Sequence, residues 1–199
     1  MKLALFDYGA GNLHSLGKAL EGSGANVVVT ANWAEALSLD GMVLPGVGAF
    51  GHAARALPAD RGRIRGALEA GLPCLGICLG MQLLFDESDE SAGAGIGLVP
   101  GRVSRVRAAI VPQMGWNDVE VTTDAIFAGI QGLVCYYANS FVCEPTDESD
   151  TIAWSEYAGV RFTAGVRRAN TWGLQFHPEK SSTAGRRILA NFVELAGAV

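Results

Sequence analysis

Cys78 lies in the run Leu75-Gly76-Ile77-Cys78-Leu79-Gly80-Met81-Gln82, between an apolar segment and an apolar helix-like stretch, with a glycine two residues away on each side. This is the cysteine counterpart of the G-x-S-x-G nucleophile elbow, in which small flanking residues permit a strained turn that lifts the nucleophile above a sheet. A helix N-terminus beyond the turn favours the thiolate, the reactive form of the group. The amide of Leu79, next in the chain, is expected to point into the same space and to stabilise a developing oxyanion. The plainer alternative is that Gly76 and Gly80 only pack strand against helix around a buried cysteine.

A cysteine nucleophile needs a base that is near in space rather than in sequence. The run Gly173-Leu174-Gln175-Phe176-His177-Pro178-Glu179-Lys180 ends an apolar strand candidate in His-Pro-Glu. Proline keeps the residue before it out of the helical region. His177 and Glu179 are therefore expected to be two apart in an extended segment and to project the same way, the carboxylate accepting from one imidazole nitrogen while the other faces a thiol. A third place is Leu44-Pro45-Gly46-Val47-Gly48-Ala49-Phe50, where Gly46 and Gly48 allow backbone amides to approach a ligand, or allow a peptide to rotate its N–H toward an oxyanion. A plain turn is the alternative there. The cluster Gly9-Ala10-Gly11-Asn12-Leu13-His14 lacks the third glycine of a dinucleotide fingerprint, and no acid follows the second strand candidate, which argues against a nucleotide cofactor.

These residues need a scaffold, and the chain spells one. Short apolar runs at 3–6, 26–30, 42–44 and 73–77 alternate with helix-like stretches at 13–20, 33–37, 63–70 and 79–85, the βαβ rhythm of a sheet covered on both faces. The acidic, glycine-rich stretch 86–97 reads as a surface loop. Closely spaced strand candidates come next, near 102–107, 119–122, 133–138, 151–155, 162–168 and 171–176, and some of these must be antiparallel. Ser181 is expected to cap a final helix that runs to about Leu195. The expected fold class is α/β: an open, mostly parallel, flavodoxin-like sheet with helices on both faces and an antiparallel extension in the second half. Ligands of such sheets sit beyond the carboxyl ends of the strands, where all three candidate places fall.

Bulk properties narrow the function. With 199 residues, 49% hydrophobic and 18% charged, the chain can bury a core, and residues 1–199 are expected to form one domain. A net charge of −5 with no basic run gives no footprint for nucleic acid. The apolar run at the start is too short for a signal peptide and no segment reaches membrane-spanning length, so a cytoplasmic protein without membrane contact is expected. Four cysteines, Cys74, Cys78, Cys135 and Cys143, show no CxxC spacing and meet only three histidines, so no zinc site is indicated, and no metal or organic cofactor is identified. Apart from Cys78, the cysteines read as structural.

Gly76-Ile77-Cys78-Leu79-Gly80-Met81-Gln82 together with His177-Pro178-Glu179 resembles the class I (triad) glutamine amidotransferases, which hydrolyse glutamine to glutamate and ammonia. Within them, Asp7-Tyr8-Gly9-Ala10-Gly11-Asn12-Leu13, Pro45-Gly46-Val47-Gly48-Ala49-Phe50, Met114-Gly115-Trp116-Asn117 and Phe176-His177-Pro178-Glu179-Lys180-Ser181 resemble the glutaminase subunits of imidazole glycerol phosphate synthases. The resemblance implies that Cys78 attacks the carboxamide, that His177 carries the proton to ammonia and that Glu179 orients His177. It implies that Gly46, Val47, Gly48 and Leu79 line the carbonyl side, while Gln82, Glu90, Asn139, Ser140 and Phe141 hold the amino-acid end of glutamine. It implies a heterodimer with a cyclase subunit, a (β/α)8 barrel that uses the ammonia in histidine biosynthesis, with Asn12, Trp116 and Tyr136 at the interface. On composition alone, Trp116 and Tyr136 are core aromatics, and Glu90 is one more solvated acid. Two positions depart from the family pattern: Pro112-Gln113 stands where Pro-His is usual before Met-Gly-Trp-Asn, and Asn139 replaces the usual histidine before Ser140. A non-catalytic regulatory module of the same fold, or a glutaminase serving another synthase such as that of pyridoxal phosphate, are the rival readings. The intact triad argues against the first and the Gly-Trp-Asn block against the second.

Overall fold

The computed structural model describes residues 1–9 and 13–199. The first half runs β1 (Lys2–Phe6), α1 (Leu13–Gly22), β2 (Asn26–Thr30), α2 (Trp33–Ala36), β3 (Gly41–Leu44), α3 (Phe50–Ala56), α4 (Gly62–Glu69), β4 (Cys74–Ile77) and α5 (Leu79–Gln82). The second half runs β5 (Glu87–Ser88), β6 (Gly101–Arg105), β7 (Gln113–Val121), β8 (Leu133–Asn139), β9 (Phe141–Pro145), β10 (Thr151–Tyr157), β11 (Val160–Arg168), β12 (Thr171–Leu174) and α6 (Ser182–Ala196).

The strands join in the order β2-β1-β3-β4-β12-β11-β10-β7-β8, with β5, β6 and β9 branching off β11. Pairs from β2 through β4 to β12 are parallel, and those from β12 onward to β8 are antiparallel. This is the expected parallel sheet with its antiparallel extension. Successive residues of a strand face opposite sides. In β1, Leu3 and Leu5 enter the cluster that holds Leu16 and Leu20 of α1 and Ile188, Leu189 and Phe192 of α6. Ala4 and Phe6 enter the cluster that holds Phe50, Ala53 and Ala54 of α3 and Ile64 and Leu68 of α4. Both faces are covered, so both sets of positions must be apolar, and each fully buried large side chain contributes about 1.5–3 kcal/mol.

Several elements differ from the sequence expectation: β5 falls inside the expected surface loop, and β7 starts at Gln113, well ahead of the strand expected near 119–122. The helix after Cys78 spans only Leu79–Gln82, and Leu83 caps it. Helix α3 has no counterpart in the apolar pattern, because its glycine and histidine break the period. Strand β9 has none either. It comes after β8 and the single residue Ser140, but pairs with β6 and β11 rather than with β7. Local sequence contains no signal for that change of neighbour.

The centre of the parallel half positions the candidate residues. β4 lies between β3 and β12, with Leu44 opposite Gly76 and Leu174 opposite Ile77. All three strands end at one edge, so the segments that leave them, Pro45–Gly48, Cys78 and Gln175–Glu179, are brought together there.

Candidate active site

Cys78 occupies a turn with φ 51 and ψ −103, a conformation that costs a non-glycine residue about 1–3 kcal/mol and persists only where its surroundings enforce it. Its amide donates to Leu174 O at 2.6 Å, which ties the turn to β12. The glycines act through close approach. A Cβ on Gly80 would lie 2.0 Å from Leu44 O, and one on Gly46 would lie 2.1 Å from Ile77 O. The packing alternative for these glycines is therefore part of the catalytic arrangement, since only side-chain-free backbone lets β3, β4 and α5 crowd around the cysteine. Cys78 is 7% exposed.

His177 and Glu179 meet as expected, by a different geometry. His177 is extended (φ −101, ψ 94), but Pro178–Lys180 form a 3-10 turn that folds Glu179 back onto the ring. Nδ1 donates to Glu179 Oε1 at 2.9 Å, which leaves the other ring nitrogen for the thiol of Cys78, a neighbour near enough to raise the proton affinity of the ring. Ser181 does not cap α6 with its side chain. Its hydroxyl donates to His177 O at 2.6 Å and accepts from Tyr136 N at 3.0 Å, while His177 N donates to Tyr136 O at 2.9 Å. The histidine backbone is thus clamped at both ends by β8.

Burial lowers the affinity of the His177 ring for a proton, but hydrogen bonds to Cys78 and Glu179 and their negative charge outweigh it and raise its pKa from 6.5 to about 9. The imidazolium is therefore kept through neutral pH beside the Cys78 sulfur. Glutamine hydrolysis is expected to show an upper pH limb in kcat/KM near 9, where the ring loses the proton it must give to ammonia. A limb at the ordinary histidine value would contradict the ion pair. The sign for stability comes from the same raised value: the contribution is full below about 6.5 and is lost as pH rises through about 9. The other cysteines offer no rival nucleophile. Burial raises Cys74 and Cys143 well above the usual thiol range and pushes Cys135 up to about 12. All four cysteines are unpaired and buried.

A cavity of about 250 Å³ opens over the cysteine, lined by Gly46, Val47, Gly48, Cys78, Leu79, Gln82, Glu90, Ala138, Asn139, Ser140, Phe141, His177 and Lys180. The structure brings Cys78, His177 and all the expected substrate-end residues to this one cavity, with Glu179 behind the histidine. Leu79 opens a helix of four residues, so its N–H is one of the free donors of a first turn, but the helix is too short for its dipole to carry the thiolate. Glu90 is no free acid: its Oε2 accepts from Phe50 N at 2.7 Å. Asn139 Nδ2 donates to Phe141 O at 3.0 Å, and its buried Oδ1 has no partner. The two positions that depart from the family pattern, Gln113 and Asn139, are directly opposite each other in the β7–β8 ladder. Lys180 and Ala138 also line the cavity, although the sequence assigns neither a role there. Among the described residues, no group of His, Cys, Asp and Glu side chains could hold a metal ion.

Trp116 and Tyr136 are not core aromatics. Trp116 is 57% exposed, Met114 67% and Val134 40%, all on the outer face of β7–β8. The Trp116 ring stands edge-on to Tyr136 at 6.2 Å, and the Lys180 ammonium lies 5.6 Å from the Tyr136 ring. Asn12 lies outside the described residues.

A triad of this kind at the carboxyl edge of a parallel sheet defines a class, and comparison with known proteins agrees with it. The chain belongs to the class-I glutamine amidotransferase family, whose model matches residues 4–196. It is 47% identical to the imidazole glycerol phosphate synthase subunit HisH of Thermus thermophilus, over 96% of both chains. Identity to the HisH subunit of Methanosarcina acetivorans is 44% over 98% of both, and to that of Synechococcus elongatus 41% over 96% of this chain and 92% of the other. Among solved structures, PurLQS from Thermotoga maritima (TM-score 0.75, 20% identity, 97% of each chain) and a glutamine amidotransferase (TM-score 0.76, 20% identity, 98% of each chain) share the fold.

Proposed function

We propose that the chain is the glutaminase subunit of an imidazole glycerol phosphate synthase, a cytoplasmic enzyme that hydrolyses glutamine to glutamate and ammonia and passes ammonia to a (β/α)8-barrel cyclase in histidine biosynthesis. The observation that carries the chemistry is the line from Cys78 through His177 to Glu179 beneath a cavity whose volume suits an amino acid. The relatives supply the pathway.

The reaction is built from the groups in place. The Cys78 thiolate adds to the carboxamide carbon, and the oxygen that gains charge lies on the side of Leu79 N–H and the Gly46–Gly48 backbone. His177 gives its proton to the departing amino group, the C–N bond breaks, and ammonia leaves a thioester. The now neutral ring takes a proton from water as the hydroxide adds, and collapse returns thiolate and releases glutamate. Glu179 holds the ring in register and stabilises the imidazolium. Glu90 and the unpartnered Asn139 Oδ1 are acceptors suited to the substrate ammonium at the far end of the cavity.

The exposed apolar face of β7–β8 is the proposed cyclase contact. Its strand β8 also holds the His177 backbone through Tyr136, so docking bears directly on the base. Adding a cyclase subunit is expected to make glutaminase activity appear or rise sharply, and Trp116→Ala should weaken the complex by about tenfold or more, as removing an aromatic anchor does. Full activity of the isolated chain together with no co-purification of a barrel subunit would overturn the assignment to this synthase.

A further inference from the structure

Gln175 has no part in the triad, yet it is fully buried against it. Its backbone N–H donates to Ala164 O at 2.9 Å, and the residue is 0% exposed. Side-chain Nε2 lies 3.5 Å from Cys78 Sγ. Oε1 accepts from Gln82 Nε2 at 3.4 Å, and Gln82 Nε2 also donates to Phe141 O at 3.4 Å.

The direction of these bonds is set by one backbone group. The Phe141 carbonyl can only accept, so Gln82 must present its NH2 there, and the second hydrogen of that group then points at Gln175. Gln175 must therefore offer oxygen to Gln82, which leaves its own NH2 facing the sulfur. Reversing either amide would set oxygen against oxygen or nitrogen against nitrogen in a buried site, where an unsatisfied polar group is costly.

We propose that Gln175 is a second, non-titrating hydrogen-bond donor to the Cys78 sulfur, held in that polarity by Gln82 and the Phe141 carbonyl, and that it sustains the thiolate as nucleophile and as leaving group. His177 gives up its proton during the reaction; an amide cannot, so its donor persists while the thioester is broken. The role fits the single-turn helix after Cys78, which is too short to stabilise a thiolate by itself. It presupposes that Cys78 is the nucleophile. The titratable groups around the sulfur are His177, Glu179 behind it, Cys143 in the core, and Glu90 and Lys180 across the cavity, and a substitution at Gln175 changes none of them.

The test is alkylation of Cys78 by iodoacetamide across pH, read by mass spectrometry of that residue in the full chain, with kcat and KM for glutamine measured on the complex with a cyclase. Gln175→Met should slow alkylation at neutral pH by about tenfold, the scale of one hydrogen bond to a charged group, and displace the profile to higher pH. It should lower kcat with little change in KM. Gln175→Leu also removes the donor and adds no charge, and should shift the profile as far. Profiles that superimpose on the unsubstituted chain, in variants folded by circular dichroism, overturn the proposal; so does loss of folded protein in both, which makes Gln175 a packing residue. Undiminished hydrolysis by Cys78→Ala would instead overturn the nucleophile assignment, whatever alkylation shows at Gln175.

Discussion

Cys78→Ala should cut glutamine hydrolysis by the assembled enzyme by on the order of ten-thousandfold or more, the scale seen when the nucleophile of a catalytic triad is removed. Without the sulfur no thioester forms, and no other thiol can replace it. Cys74, Cys135 and Cys143 are buried and held protonated by that burial. The substitution removes one atom from the floor of a cavity, so folding and association with a cyclase should be retained; both are checked by circular dichroism and co-purification. Hydrolysis that continues undiminished would remove the central claim.

Glu179→Gln should be the next most damaging change that spares the fold, with turnover down by on the order of a hundredfold to ten-thousandfold. The carboxylate is 11% exposed and its Oε1 is the acceptor for His177 Nδ1. An amide oxygen can keep that contact, and Oε2 has no partner to lose. The change removes the charge that helps hold the ring at about 9, so the upper pH limb should move down as turnover falls. A loss of folded protein in proportion to the loss of activity would make Glu179 a structural residue instead.

Much of this site is readable in the sequence because short-range covalent constraints encode it. The glycines two residues either side of Cys78 announce a turn that no side chain could enter, and their close approaches to Leu44 and to each other explain the spacing. Pro178 keeps His177 extended, although the 3-10 turn after it, and not an extended strand, brings Glu179 to the ring. Gln175 and Ser181 are less legible. Glutamine is usually exposed and serine usually a cap, and the roles of these two come from partners far along the chain: Cys78 for one, Tyr136 for the other. Trp116 shows the same limit in reverse, since an aromatic residue in a strand gives no local sign of which face will stay open.

The sequence by itself determined the chemistry on offer, a cysteine in an elbow and a histidine-carboxylate pair, because backbone strain and proline geometry act over a few residues. Only the tertiary structure decided that they meet. Residues 78 and 177 converge because β4 and β12 pair in parallel with their ends in register, a choice made by burial of both sheet faces across the whole chain. The same pairing put an amide beside the sulfur, and the β7–β8 ladder left an aromatic face exposed next to the base. Neither is contained in any local run of residues, since both depend on which strands become neighbours.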